Sequence, residues 1–403
     1  MIDSTYAGEV VIDTLLLTGP RGSWDMKDII MQSSVYENIF AKGTFATFKV
    51  LDVDDTIGDL LMSGEESILF QFHHISVPEE EPQRASYIFS INKVTTIQGE
   101  GGLQKAKTYT IECVSPETLV ARTGMIQKNW QNTPISSMVN DIFSSELGSP
   151  RGLVTEATKG GQDFRASNIK PFSAIEQLQK RAVSAKVDSS AYVFFENRDS
   201  WHFETIQALY EQPHIKSLAQ TDAIGSGHND AFDRQIIHFT IVSMLNVEAR
   251  LKMGAVATRV SMFDQRTRDF KEKIFNPTSF FNKGGFEGAF SKIGKSLHIP
   301  LNTRAPTSQI PSDAPGTATS AADMMQLIVQ LQVFGDTIFQ AGKTVDINIP
   351  KTVSLTTDIP PDPIVSGKFL ISKLRHNIES SLTRPRYTCI VEGIRGNFNT
   401  EIS

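Results

Sequence analysis

The sequence predicts a mainly β protein with an α+β insert, built on two similar β-barrel domains. Three observations predict this. Apolar and polar residues alternate with a period of two in the first part of the chain, helical apolar stripes open just past Pro116, and the two β-rich regions repeat one another in order and content.

The first stretch reads as short strands. Val10-Val11-Ile12 and Leu15-Leu16-Leu17 run into Thr18-Gly19-Pro20, a turn signal, and Ile29-Ile30-Met31, Val35 to Phe40 and Thr44 to Val50 follow. In the last of these, Phe45, Thr47 and Lys49 alternate with Ala46, Phe48 and Val50, as in a half-buried strand. Further strands are expected at Ser67–Phe72, Ser86–Ile97 and Thr108–Val114, and short strands punctuated by turns point to a barrel or sandwich. Past Pro116 the period changes. Thr133-Pro134 supplies a cap and a first-turn proline to a helix with the apolar face Ile135, Met138, Val139, Ile142, Phe143 and Leu147, closed by Gly148. A second helix opens at Pro171 and carries Phe172, Ile175, Leu178 and Ala182. Ala191–Glu196 and Trp201–Glu204 read as strand, turn, strand around Asn197-Arg198-Asp199-Ser200.

Gly225-Ser226-Gly227 marks a break, after which β character returns. Asn276 to Ser320 contains Pro277, Pro300, Pro306, Pro311 and Pro315 and reads as a long loop. A helix is then expected over Ala321–Phe339, striped by Leu327, Leu331, Phe334 and Ile338. The expected domains are a first β-barrel over 1–115, an α+β insert over 116–228 and a second barrel from 229–275 and 321–396. A loop insertion over 276–320 and a C-terminal tail over 397–403 complete the chain.

Composition narrows the function classes. The 403 residues are 40% hydrophobic and 21% charged, with 25 Phe against 3 Trp and 7 Tyr, enough for two to four cores at ~100–200 residues per domain. The formal net charge is −6 and no dense Lys/Arg cluster occurs, which argues against sequence-specific nucleic-acid binding. Two cysteines make no disulfide framework. Met1 to Thr18 lacks a basic start and is interrupted by Asp3, Glu9 and Asp13, unlike a signal peptide, and no apolar run reaches the ~20 residues of a bilayer span. Folding in a cytosol, with no membrane partner, is the expectation.

The two β regions repeat weakly. Leu61-Met62-Ser63-Gly64-Glu65-Glu66 resembles Phe339-Gln340-Ala341-Gly342-Lys343-Thr344, an offset of 278 from Gly64 to Gly342. Phe89 to Val94 resembles Phe369 to Leu374 at an offset of 280, and Tyr109 to Val114 resembles Tyr387 to Glu392 at 278. On this alignment Tyr109 lies over Tyr387 and Lys93 over Lys373, and Cys113 and Cys389 point inward in equivalent strands as small core residues.

Four pieces of the chain resemble the baseplate hub proteins of contractile phage tails, related to the hub half of type VI secretion spikes. They are Val35-Tyr36-Glu37-Asn38-Ile39-Phe40 with Gly43 and the strand to Asp52; Lys170-Pro171-Phe172-Ser173-Ala174-Ile175; Tyr192-Val193-Phe194-Phe195-Glu196-Asn197 with Trp201-His202-Phe203-Glu204; and the end, a helix, a Gly342-centred turn, Lys368–Leu374 and Tyr387–Gly393. The 276–320 loop departs from the family pattern. The resemblance implies a homotrimer whose two hub-type barrels per chain form a pseudo-hexameric ring, a non-enzymatic symmetry adaptor between a six-fold tail tube and a three-fold central spike. It implies a channel for the genome or tape-measure protein, spike, tube and tube-initiator partners, and a place in the virion tail after assembly in the host cytoplasm. The rival is a tail-associated peptidoglycan hydrolase, whose paired acids need not be close in sequence.

Other motifs are weaker. Ala289 to Ser296 fits a relaxed phosphate loop, but no strand precedes it and Pro300 cuts any helix after it. His73-His74 would point to opposite faces of a strand, and Asp52, Asp54 and Asp55 read as a solvated turn without the glycine and distal glutamate of a calcium loop. No G-x-S-x-G elbow occurs. No catalytic residue, metal or cofactor is expected. Phe280, Phe281, Phe286 and Phe290, in the glycine-rich loop, and Phe398 are the candidate protein-interface residues.

Overall fold

The computed structural model describes residues 8–53, 63–75, 84–98, 107–186, 191–220, 234–244, 257–264, 268–275, 293–301, 325–351, 361–380 and 385–396. The first β region forms β1 (Val10–Gly19), β2 (Gly22–Asp25), β3 (Ile30–Asn38), β4 (Phe45–Asp52), β5 (Ser67–His74), β6 (Ala85–Gln98) and β7 (Lys107–Val114). The expected alternation holds in β4, where Ala46, Phe48 and Val50 are buried, while Phe45, Thr47 and Lys49 turn outward. Asp52 ends that strand and is buried, so it is not the solvated turn expected of it.

The insert starts with α1 (Pro116–Thr123) and β8 (Ile126–Thr133), then α2 (Ile135–Ile142), which continues as a π-helical turn over Phe143–Leu147 and ends on Gly148 in the left-handed region. Pro134, not Thr133, is the N-cap of α2. β9 (Leu153–Thr155), β10 (Gln162–Ile169), α3 (Pro171–Gln179), β11 (Tyr192–Glu196), β12 (Trp201–Thr205) and α4 (Ile206–Glu211) follow. β8 pairs with β10, and β12 lies between β11 and β9. Their core is aromatic: Trp201 stacks on Phe194 at 5.1 Å between ring centres and meets Phe143 edge-on at 6.0 Å.

The rest of the chain is β13 (His214–Ala219), β14 (Ile236–Ser243), β15 (Ala257–Asp264), β16 (Asp269–Phe275), β17 (Ile293–Leu301), β18 (Leu327–Phe334), β19 (Thr344–Asn348), β20 (Gly367–Glu379) and β21 (Arg386–Arg395). Two expectations are corrected. The helix expected over Ala321–Phe339 is the strand β18, in which Leu327, Leu331 and the β-branched Val329 and Val333 face the core in strict alternation. The 276–320 loop contains β17, which pairs parallel with β15, while β16 pairs with the other side of β15. Residues 229–275 are thus divided: β14 joins the large sheet and β15–β16 belong to a separate three-stranded one. β13, from the sequence range of the insert, pairs with β19.

The large sheet has 13 strands, and its main path runs β14-β18-β21-β20-β3-β4-β7-β6-β5-β1-β2. The two β regions are therefore joined in one continuous sheet. The second half of β20, Lys373–Glu379, pairs antiparallel with β3, Gln32–Asn38, and joins them edge to edge. One apolar core lies under both, with Phe72 meeting Tyr387 edge-on at 5.6 Å and stacking near Tyr87, which in turn stacks on Phe89.

Strand pairing bears out the repeat but moves its register. β6–β7 carries a bulge between Ile91 and Lys93, and β20–β21 carries one between Ile371 and Lys373. Lys93 then pairs with Glu112 and Lys373 with Glu392, so both strands are offset by 280. Tyr109 therefore corresponds to Cys389, not Tyr387, and Cys113 to Gly393. β3–β4 has a bulge between Ile30 and Gln32, and β14–β18 has one between Ile236 and His238. The equivalences are thus β3 with β14, β4 with β18, β5 with β19, β6 with β20 and β7 with β21. The outer strands diverge, since β1 is antiparallel to β5 and β13 is parallel to β19.

Tyr387 is fully buried and its hydroxyl shares a 2.7 Å hydrogen bond with Nδ1 of His376, an imidazole that burial keeps neutral by pushing its pKa down to about 3. Tyr387→Ala is expected to cost ~3–5 kcal/mol in urea unfolding, as for other large core aromatics. A cost below about 1 kcal/mol would mean that the two β regions do not share this core.

Candidate assembly surface

Strand parity gives the sheet one apolar and one polar side. From β3, Gln32, Ser34, Tyr36 and Asn38 turn away from the core, and from β20 Lys373, Arg375, Asn377 and Glu379 do so beside them. These side chains bind each other across the joint. Gln32 Nε2 and Ser34 Oγ donate to Asn377 Oδ1 at 2.8 and 3.0 Å, and Arg375 reaches Ser34 Oγ at 3.0 Å while lying 5.4 Å over the Tyr36 ring. Thr47 and Lys49, Thr110 and Glu112, and Lys93 and Thr95 extend the polar side through the first repeat. The equivalent cross-strand ion pairs, Lys93–Glu112 at 3.9 Å and Lys373–Glu392 at 2.9 Å, lie on it. A shallow polar concavity opens near the joint, lined by Gln32, Gln332, Arg375, Glu379, Arg386 and Thr388 among others.

Buried carboxylates hold the insert against this sheet. Glu37, on the inward side of β3, accepts from the Tyr87 hydroxyl at 3.0 Å, from the Arg198 backbone N–H at 2.9 Å and from the Ala341 N–H at 2.8 Å. One carboxylate therefore touches the first β region, the turn of the insert hairpin and the turn before β19. The Arg198 side chain completes the contact by donating to the Thr337 carbonyl and, at 2.9 Å, to Asp199, which accepts from Gln340 at 2.7 Å. Burial raises the Glu37 pKa from 4.5 to about 7, against the opposing pull of those bonds and of the Arg198 charge. A second carboxylate, Glu196 at the end of β11, accepts from Thr44 N–H at 2.7 Å and pairs with Arg151, and burial shifts it upward too. Gly43, next to Thr44, sits at φ +109°, and a Cβ there would lie 2.2 Å from Thr118 Oγ1, so the turn accepts only glycine against α1.

The residues singled out in the sequence distribute as follows. Phe280, Phe281, Phe286, Phe290 and Phe398 lie outside the described residues, as do Asp54 and Asp55. His73 and His74 diverge as expected. His73 binds Asp13 at 2.8 Å, and His74 binds Thr337 Oγ1 at 2.9 Å and lies 3.4 Å from Asp336, which Lys216 also pairs at 2.6 Å. Lys295 lies within β17, a strand rather than a phosphate-binding turn. Cys113 and Cys389 are buried free thiols. Among the described residues no group of three or more His, Cys, Asp or Glu could hold a metal ion, and no helix is long and apolar enough to cross a membrane. Glu37 and Arg198 went unremarked in the sequence, although Val35, Glu37 and Ile39 share one strand parity, which placed an acid on the core side.

No protein-family model and no curated protein matches the sequence. Among solved structures the chain is similar to a tail protein from Neisseria meningitidis, with TM-score 0.55 and 8% identity over 96% of this chain and 97% of that one. It is also similar to the 43 kDa tail protein of prophage MuSo2 from Shewanella oneidensis, with TM-score 0.52 and 7% identity over 95% of this chain and 98% of that one. This is a phage tail-protein fold. A lower similarity, TM-score 0.46 at 9% identity, covers 96% of this chain and 77% of an Escherichia coli component of the type VI secretion system. In the tail-protein fold seen here, the buried acids sit where the insert meets the sheet rather than in an open cleft.

Glu37 generates a pH prediction. A carboxyl whose folded pKa lies above its unfolded one contributes stability that is full below about 4.5 and is lost as pH rises through about 7. The loss is on the order of 3 kcal/mol. Urea midpoints of the natural chain are expected to fall between pH 5 and 7 relative to Glu37→Gln, which lacks this titration. Parallel profiles would show that Glu37 ionises alike in both states.

Proposed function

We propose that the chain is the structural baseplate hub of a contractile tail, a homotrimeric symmetry adaptor that joins the six-fold tail tube to the three-fold central spike. The observation that carries this reading is the doubled β unit, whose two copies share two bulges, with one more in β14 between Ile241 and Ser243, and are fused edge to edge in one sheet. Three such chains supply six similar units, enough to match a hexameric tube, while the single insert in each chain supplies three-fold features toward a spike. The continuous polar side of the sheet supports a wall for a channel that passes the genome or tape-measure protein. Spike, tube and tube-initiator proteins are the proposed partners, with Phe280, Phe281, Phe286, Phe290 and Phe398 as contacts to the spike or a neighbouring chain. Its place would be the baseplate of the virion tail, reached by assembly in the host cytoplasm, with no catalytic turnover of its own.

Native mass measurement is expected to find a trimer, alone or when the spike or tube protein is added. A stable hexamer of this chain, or a monomer that persists with both partners present, would overturn the reading. The rival reading, a tail-borne peptidoglycan hydrolase, is separated by turbidity: the purified chain is expected to leave chloroform-treated cells unchanged, and clearing of the suspension would favour the hydrolase.

A further inference from the structure

Among the described residues, the repeat leaves two strand edges unpaired whose equivalents in the other copy are paired. Within the chain β3 is paired on both sides, by β4 and by the second half of β20. Its equivalent β14 is paired along Ile236–Ser243 by β18 alone among the described residues, β13 bridging only Gln235 just before it, and it stands at the end of the main strand path. The second half of β20 is paired on both sides, by β21 and β3. Its equivalent, Lys93–Gln98 of β6, is paired by β7 alone among the described residues, because β5 stops pairing at Ser90.

The side chains register the difference. Val35 of β3 is 0% exposed, whereas its equivalent Ile241 is 41% exposed, and the neighbouring Val242 and Met244 are 52% and 44% exposed. An edge strand that displays aliphatic residues beside unpaired backbone groups is a template for another strand. Among the described residues, what distinguishes β3 from β14 is a second neighbour along its length.

We propose that β14 of one chain pairs antiparallel with Lys93–Gln98 of β6 in a second copy of this chain, in the register that β3 and β20 use within the chain. The seam rests on the trimeric reading above and gives it a residue-level joint. Within the chain Arg375 lies opposite Tyr36 and His376 opposite Val35. Carried through the repeat, and with Val242 bulged out between Ile241 and Ser243 of β14, Thr95 lies opposite Ser243 and Thr96 opposite Ile241 of the neighbour. The backbone phase carries over as well. Ile39 N–H bonds Ser372 O and Ser380 N–H bonds Met31 O, at 3.0 and 2.9 Å, so the odd-numbered residues of β3, Val35 included, aim their backbone groups at β20. Ile241 therefore aims its N–H at the open edge and not at β18. Thr95 and Ser243 fall at a non-hydrogen-bonded pair, where opposing Cβ atoms come close enough for a disulfide. Each chain then offers one β14 edge and one β6 edge, and the joints alternate around a closed ring.

The test uses the full-length chain carrying Thr95→Cys and Ser243→Cys, together with the spike or tube protein if trimers need it, under mild oxidation. The double variant is expected to give covalent dimers and trimers on a non-reducing gel and nothing longer, and each single variant to give neither. Ile241→Pro removes a donor from the seam and none from β18, and is expected to raise the trimer dissociation concentration about tenfold or more with unchanged thermal unfolding of the monomer. Trimers that form without the cross-link, and that Ile241→Pro leaves intact, would overturn the seam while the hub reading stands. A chain that stays monomeric with its tail partners overturns both.

Discussion

The pairing of β3 with the second half of β20 is the constraint on which the rest of the structure depends. It aligns residues some 340 positions apart in sequence, Ser34 with Asn377 and Glu37 with Leu374. It turns two repeated β units into one sheet with one core. Because side chains alternate across a strand, fixing this register also fixes which residues of both units face the core and which face the polar side. Glu37 uses that placement. Its inward position on β3 brings it to Tyr87, Arg198 and Ala341 together, so the orientation of the insert follows from the register of the sheet.

Much of this was legible in the sequence. The strands of the first β region apart from β2, the helix ending at Gly148, the Pro171 helix and the hairpin around Asn197–Ser200 follow from local period and punctuation. β18 was misread because Leu327, Leu331 and Phe334 satisfy a helical stripe, while Leu327, Val329, Leu331 and Val333 satisfy a strand equally well. The two β-branched valines at alternate positions carried the deciding signal. β17 was hidden by Pro300, which is compatible with an edge strand of a small sheet.

The repeat was visible but its register was not. Matching Tyr109 to Tyr387 slips the last strand by two residues from the pairing that the bulges and the Lys–Glu pairs define. A slip of two keeps every side chain on its own face, so hydrophobic pattern carries no information against it. Only cross-strand partners could break the tie, and Glu112 with Lys93, and Glu392 with Lys373, are such partners. Glu37 was missed for a related reason: an acid at core parity reads as an error in the alternation until the donors that meet it, two of them backbone N–H groups from distant turns, are known.

The fused joint also has a kinetic meaning. A ring of six independent units must meet six times by diffusion, and each intermediate can dissociate before the next arrival. When β3 and β20 belong to one polypeptide, that encounter is intramolecular and occurs at an effective concentration on the order of millimolar, far above that of a scarce protein in a cell. In the proposed ring every second contact would thus be made during folding, before any subunit is met. On the proposed reading, half as many bodies would have to be collected and incomplete rings would have fewer forms.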